Sequence, residues 1–183
     1  IGTHGNGMYQ SKITLCDGIS TTWNGSSWSN GVPTATREAI FTGNYNSTAN
    51  LEACTVTITN NATVTFNAGH TLFVDGGVTV ASGSNLTIEN NAALHQIDDL
   101  AINSGNIVVK RVSQPMIRLD YTAWSSPVAN QQLLAFSPNT ITTRFYQYLY
   151  TGTTTPTAYQ SVDPNTNFVA GKGYMIRVAN DWS

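Results

Sequence analysis

Residues 54–97, CTVTITNNATVTFNAGHTLFVDGGVTVASGSNLTIENNAALHQI, repeat one short phrase of strand and turn. Val56, Val64 and Leu72 recur about every eight residues, and after a shorter step so do Val78, Leu86, Leu94 and Ile102. Each lies in an alternating segment such as Val-Thr-Ile, Val-Thr-Phe or Leu-Thr-Ile. Aliphatic side chains fall on one face and mainly Thr on the other, the period of two that marks a half-buried strand. Between the segments stand Asn60-Asn61, Ala68-Gly69, Gly76-Gly77, Ser82-Gly83-Ser84 and Asn90-Asn91. These residues tolerate positive φ or bond their own backbone, so the chain bends at each.

Strands this short and regular suit an antiparallel meander or sandwich, or a parallel β-helix with two or three strands per coil; spacing alone does not choose. The turns lack the two-residue Asn-Gly or Asp-Gly form of tight hairpins, and the aliphatic positions stay in step as stacking requires. Both points favour a short parallel β-helix in an all-β chain, with its repeat over residues 54–112. At about twenty to twenty-five residues per coil the quoted stretch holds two or three coils, near the minimum for a self-supporting stack. It must be capped or continued.

Composition narrows the class. Charged residues are 10% of the chain and the net charge is −2, far below the globular norm of about a quarter charged. A surface kept soluble by hydroxyls and amides suits an extracellular protein and disfavours capture of nucleic acid. No apolar run is long enough to span a bilayer. Cys16 and Cys54, the only cysteines, have no metal-type spacing and read as one disulfide tying the N-terminal segment to the first strand of the repeat.

Residues 1–20, which include His4 and Lys12-Ile13-Thr14-Leu15, form an edge strand or an arm reaching a neighbour. Residues 21–114 read as a capped β-helix domain. Its opening, TTWNGSSWSNGVPTATREAIF, sets Trp23 and Trp28 around a Gly-Ser turn before the buried strand at Ala39-Ile40-Phe41. Two tryptophans there cover the open end of the stack or, on the less favoured reading, form a platform for sugar rings.

The phrase Trp-Asn-Gly-Ser-Ser-Trp-Ser-Asn-Gly-Val-Pro at 23–33, the Thr/Val repeat, Asp120-Tyr121-Thr122-Ala123-Trp124-Ser125-Ser126-Pro127-Val128 and Gly171-Lys172-Gly173-Tyr174-Met175-Ile176-Arg177 follow in that order. In this the chain resembles large surface and secreted proteins of the Bacteroidota that are exported by the type IX secretion system, many of them adhesin-like. The resemblance covers nearly everything after Thr21. It implies an extracellular or cell-surface location, contact with the secretion machinery during export, and a role in attachment or gliding motility, and it supplies no catalytic residues. It also implies a longer parent protein, since such chains usually continue into further strands and a C-terminal sorting domain.

Residues 115–183 carry longer, more aromatic strands and Thr/Pro loops, read as an antiparallel, sandwich-like region beside or on top of the β-helix. In Arg144-Phe145-Tyr146-Gln147-Tyr148-Leu149-Tyr150 the alternation sets Tyr146, Tyr148 and Tyr150 on one strand face, where they pack under a loop or stack on sugars. Asp163-Pro164-Asn165-Thr166-Asn167 begins like a calcium loop, but Phe168 stands where Gly is needed and Tyr174 where a bidentate Glu is needed. Gly171-Lys172-Gly173 is a turn rather than a phosphate loop. His4, His70 and His95 have no metal-ligand spacing, and there is no nucleophile elbow. Neither a metal nor a cofactor is expected.

The expectation is a non-enzymatic structural or adhesive module whose partners are surface glycans or neighbouring surface proteins. The rival is a carbohydrate-binding or polysaccharide-cleaving β-helix domain. Lyases and hydrolases need clustered carboxylates, or Ca²⁺ with an Arg or Lys base, on one face of consecutive coils, and Asp98, Asp99, Lys110 and Arg111 are the one group in the repeat worth testing for this.

Overall fold

The computed structural model describes residues 16–150, 152 and 159–180, which divide after Arg111 into two compact units. Run 12–15, His4, most of the 151–157 loop and Trp182 lie outside the described residues.

The first unit is a parallel β-helix. Its strands are β1 (Ser20–Trp23), β2 (Glu38–Phe41), β3 (Tyr45–Asn46), β4 (Leu51–Ala53), β5 (Val56–Ile58), β6 (Thr63–Phe66), β7 (Thr71–Val74), β8 (Val78–Val80), β9 (Asn85–Ile88), β10 (Ala93–Gln96) and β11 (Ile107–Val109). They stack into three parallel sheets in the orders β1-β2-β5-β8, β4-β7-β10 and β3-β6-β9-β11, so each coil uses three strands and the solenoid makes about four turns. Val56 lies beside Val78, Val64 beside Leu86 and Leu72 beside Leu94, a constant step of 22 residues. That step keeps like residues above one another. The inward column of Val56, Ile58, Val64, Phe66, Leu72, Val74, Leu86 and Ile88 is almost wholly removed from water. Outward positions at the same register carry Thr57 and Thr79 on one face, and Asn46, Thr65 and Thr87 on another.

Asparagine does more here than turn the chain. Asn60, Asn61 and Asn91 adopt left-handed φ of 57–64°, which their short polar side chains tolerate. Other asparagines join neighbouring coils at the corners: Asn44 Oδ1 accepts the Thr63 N–H at 2.9 Å, Asn50 Oδ1 accepts that of Thr71 at 2.9 Å, and Asn67 Nδ2 donates to the Ser47 carbonyl at 2.7 Å. Where the backbone leaves one sheet for the next, these amides satisfy groups that the ladder no longer reaches.

Gly105 is required by a different contact. Its φ is +84°, and a Cβ there would overlap the Val80 carbonyl oxygen of the coil above. Gly105→Ala is therefore expected to destabilise the last coil by about 2 kcal/mol, measured by urea unfolding. A midpoint equal to that of the parent chain would show that the coil shifts without penalty.

Ile102 departs from the repeat. It is 88% exposed, not the next member of the inward column. Thr79 pairs with Ser104, a longer step than 22, so residues 97–103 bulge out and the column resumes with Ile107 and Val109.

The disulfide between Cys16 and Cys54 is present and closes a separation of 38 residues. The N-terminal end of the core is filled by rings. Trp28 meets Phe41 at 5.2 Å between centroids, Phe41 meets Tyr45 at 5.1 Å, and Tyr45 meets Phe66 at 6.0 Å.

The second unit is a four-stranded antiparallel sheet in the order β12-β15-β13-β14: β12 (Tyr121–Trp124), β13 (Phe145–Tyr148), β14 (Tyr159–Ser161) and β15 (Tyr174–Arg177). A single-turn helix, α1 (Leu133–Phe136), contributes Leu133 to a core with Phe145, Phe168, Tyr174 and Ile176. That core lies on one face of the sheet. Paired residues share a face and the faces alternate along a strand, so Tyr121, Met175, Arg177, Tyr146, Tyr148, Tyr159 and Ser161 occupy the other.

Candidate functional site

The coreless face of this second sheet gathers three of the five exposed aromatics among the described residues, Tyr121, Tyr148 and Tyr159. β13 pairs with β14 so that Tyr148 lies opposite Tyr159, and β12 pairs with β15 so that Tyr121 lies opposite Arg177. The Tyr148 and Tyr159 rings meet edge to face at 5.5 Å, and those of Tyr121 and Tyr146 at 5.9 Å. Tyr121, Tyr148 and Tyr159 are 40%, 50% and 57% exposed, too open for rings whose role is burial. Cross-strand aromatic pairs hold one another in place while leaving part of each ring and the hydroxyl accessible.

Charge joins the rings at one end. Arg144 Nη1 donates to the Tyr146 hydroxyl oxygen at 3.0 Å. This hydrogen bond, ahead of the opposing effect of burial, holds the Tyr146 hydroxyl below the ordinary tyrosine value. Tyr121 is raised, first by burial and then by Tyr146, while the guanidiniums of Arg144 and Arg177 pull the other way.

Of the three tyrosines in the 144–150 alternation, Tyr146 and Tyr148 share this face. Tyr150 does not extend the row within the strand: β13 ends at Tyr148, and Tyr150, 72% exposed, lies in the connection that follows. Tyr121 and Tyr159 flank the pair instead. They are distant in sequence, and only hydrogen-bond register brings them together; the alternation around each was the available signal, and it carries no information about partners.

Trp23 and Trp28 are built into the start of the solenoid. Their centroids are 5.5 Å apart, Trp23 also meets Tyr45 at 5.3 Å, and its Nε1 donates to the Asn44 carbonyl at 2.8 Å. Both pack against the hydrophobic column, leaving less open ring than the tyrosine face offers.

The remaining residues of chemical interest are dispersed or locally engaged. Lys110 Nζ pairs with Glu89 Oε1 at 2.8 Å, Arg111 Nη1 donates to the Lys110 carbonyl at 2.6 Å, and Asp98 Oδ1 accepts the Leu100 N–H at 2.9 Å. No described ion pair joins Asp98 or Asp99 to these bases. Asp163 Oδ1 accepts the Asn165 N–H at 2.9 Å, a local turn. Ser47 Oγ, 2.8 Å from His70 Nδ1, also accepts the Asn67 N–H at 2.8 Å, and Ser47 is 2% exposed. That pair staples two coils rather than presenting a hydroxyl to solvent. His95 lies against Phe73 at 5.5 Å on the outer face of β7 and β10. Among the described residues, no group of three or more His, Cys, Asp or Glu could hold a metal ion, and no helix is long and apolar enough to cross a membrane.

A family model described as a domain of unknown function (DUF8693) matches residues 16–183, from the disulfide through the tyrosine sheet. The chain belongs to the DUF8693 family. The match spans both units, so solenoid and sheet together make up the DUF8693 domain. No curated protein and no solved structure matches the chain.

Proposed function

We propose that this DUF8693 chain is a non-enzymatic, secreted or cell-surface adhesive module, carried out of the cell by the type IX secretion machinery, with surface glycans or neighbouring surface proteins as its partners. The solenoid is its rigid part. Its outward positions are mostly Thr and Asn, and its cross-link suits an oxidising compartment. The contact surface is the tyrosine face of the second unit. The observation that carries this reading is the set of partly open rings of Tyr121, Tyr146, Tyr148 and Tyr159 on the side of the sheet that its own core does not use. Rings fixed by their neighbours lose little freedom on binding, which favours association.

The same face favours the carbohydrate-binding form of the rival reading, because a tyrosine offers an apolar surface to the C–H face of a sugar and a hydroxyl to its rim. Beads coated with the full chain are expected to attach to a glycan-bearing surface, and the double substitution Tyr148→Ala, Tyr159→Ala is expected to reduce attachment about tenfold or more. Undiminished attachment by the folded double variant would place the contact surface elsewhere. Export is checked separately, by locating the tagged chain in cells with and without a working type IX apparatus; equal surface amounts in both would remove the assigned route.

A further inference from the structure

The tyrosine face ends in a row that its own packing does not account for. Phe145 pairs with Ile176, so Arg144 lies opposite Arg177 on the adjoining strand, and the Arg177 N–H donates to the Arg144 carbonyl at 3.2 Å. Tyr121 pairs with Arg177 on its other side. The row across the sheet is therefore Tyr121, Arg177, Arg144, with all three side chains on the coreless face. Like charges directly opposite each other destabilise a strand pair. Among the described residues no carboxylate offsets them: the other positions of this face are Ala123, Met175, Tyr146, Tyr148, Tyr159 and Ser161, and neither arginine forms an ion pair there.

Arg177 sharpens the point. It is only 7% exposed, and although one Nη donates to Asn180 Oδ1, its Nε is buried and has no hydrogen-bond partner. The Nε itself is out of a ligand's reach, but a buried guanidinium with no counter-ion beside it leaves a poorly screened positive charge that an oxyanion on the adjoining surface would offset. Arg144 is exposed and holds the Tyr146 hydroxyl. An exposed guanidinium bonded to a tyrosine hydroxyl thus stands at one end of an aromatic platform, with a second, buried arginine in the same cross-sheet row.

We infer that this end of the platform binds the oxyanion of an acidic polysaccharide, the carboxylate of a uronate or the sulfate ester of a sulfated sugar, with the adjoining rings of Tyr146 and Tyr148 under the pyranose. The inference rests on the adhesive reading above and names its ligand class. A sugar fits better than an acidic peptide because the cationic row continues directly into open aromatic rings. The net charge of −2 makes the attraction local, unlike the broad basic field that draws any polyanion. Guanidinium forks match planar carboxylates in two-point contacts and also accept tetrahedral sulfate oxygens.

The test is calorimetric titration of the full chain with four probes of matched length: an oligouronate, a sulfated oligosaccharide, a neutral oligosaccharide and oligoglutamate. One acidic sugar is expected to bind about tenfold or more tighter than the neutral one, and which of the two does so identifies the anion. Arg144→Gln is expected to abolish that preference. Gln keeps a hydrogen-bond donor for Tyr146, and an exposed position leaves folding intact, which circular dichroism checks. Arg177 is too buried for a clean substitution. Equal binding of neutral and acidic sugars, an acidic preference that survives Arg144→Gln, or oligoglutamate binding as tight as the acidic sugar would each overturn the inference. If neutral sugar binds and Tyr148→Ala, Tyr159→Ala abolishes it, the adhesive reading stands and only the acidic preference falls. If no sugar binds and coated beads do not attach, both fall.

Discussion

Phe66→Ala is expected to lower the free energy of unfolding by about 3–5 kcal/mol, toward the upper end of that range. Phe66 is fully buried, with Tyr45 above it at 6.0 Å and Ile88 directly below in register. In a globular core the walls of a new cavity partly collapse and recover contacts. Here they are held by backbone ladders on three sides, and parallel strands keep a spacing of about 4.8 Å whatever side chain lies between them. The void therefore stays open. Its cost is also shared by the neighbouring coils, because each coil of a solenoid is stable only against the next. Urea unfolding of Phe66→Ala beside Phe66→Leu measures this, with the leucine variant expected to lose about 1–1.5 kcal/mol. A loss below about 2 kcal/mol for the alanine variant would show that the coils close on the gap.

Removing the cross-link is expected to cost a similar amount by a different route. Cys16 and Cys54 close a separation of 38 residues, and constraining a loop of that size in the unfolded chain contributes about 4 kcal/mol in the chain-entropy treatment. The double substitution Cys16→Ser, Cys54→Ser isolates this contribution. The bonds that seat Cys54, its N–H to the Arg37 carbonyl at 2.9 Å and the Gly76 N–H to its own carbonyl at 2.7 Å, belong to the backbone and survive the change. Reductant should move the unfolding midpoint of the parent chain to that of the double variant and leave the variant unmoved. If reductant moves neither, the cross-link contributes nothing to stability in solution.

The two predictions concern the part of the molecule most legible in the sequence. Alternation in Val56-Thr57-Ile58 and Thr63-Val64-Thr65-Phe66 assigns inward and outward faces within a few residues, and the turns at Asn60-Asn61 and Gly83 require backbone conformations that few other residues adopt. What alternation does not carry is the distance over which segments pair. Ile102 shows the consequence: its spacing suits the column, yet the longer step from Thr79 to Ser104 leaves it outside. The corner asparagines are a second case. Nothing in the local pattern around Asn44, Asn50 and Asn67 marks them, yet each serves a backbone group about twenty positions away on a neighbouring coil.

The candidate site was legible only in fragments. Tyr146 and Tyr148 belong to one alternating strand, and that much is visible without a fold. Tyr121, Tyr159, Arg144 and Arg177 join them through the antiparallel register of β12, β15, β13 and β14.

By itself, then, the sequence determined a stack of short parallel strands with an aliphatic interior, a Thr- and Asn-rich exterior and a cross-linked start. The interior and exterior are written in neighbouring residues and repeated along the chain, the parallel stack is favoured by turns that lack hairpin chemistry, and the cross-link follows from there being two cysteines alone. Only the tertiary structure decided that a tyrosine platform ends in two facing arginines. Those side chains come from three strands, and their meeting depends on hydrogen bonds between backbone segments far apart in the chain, which no local pattern records.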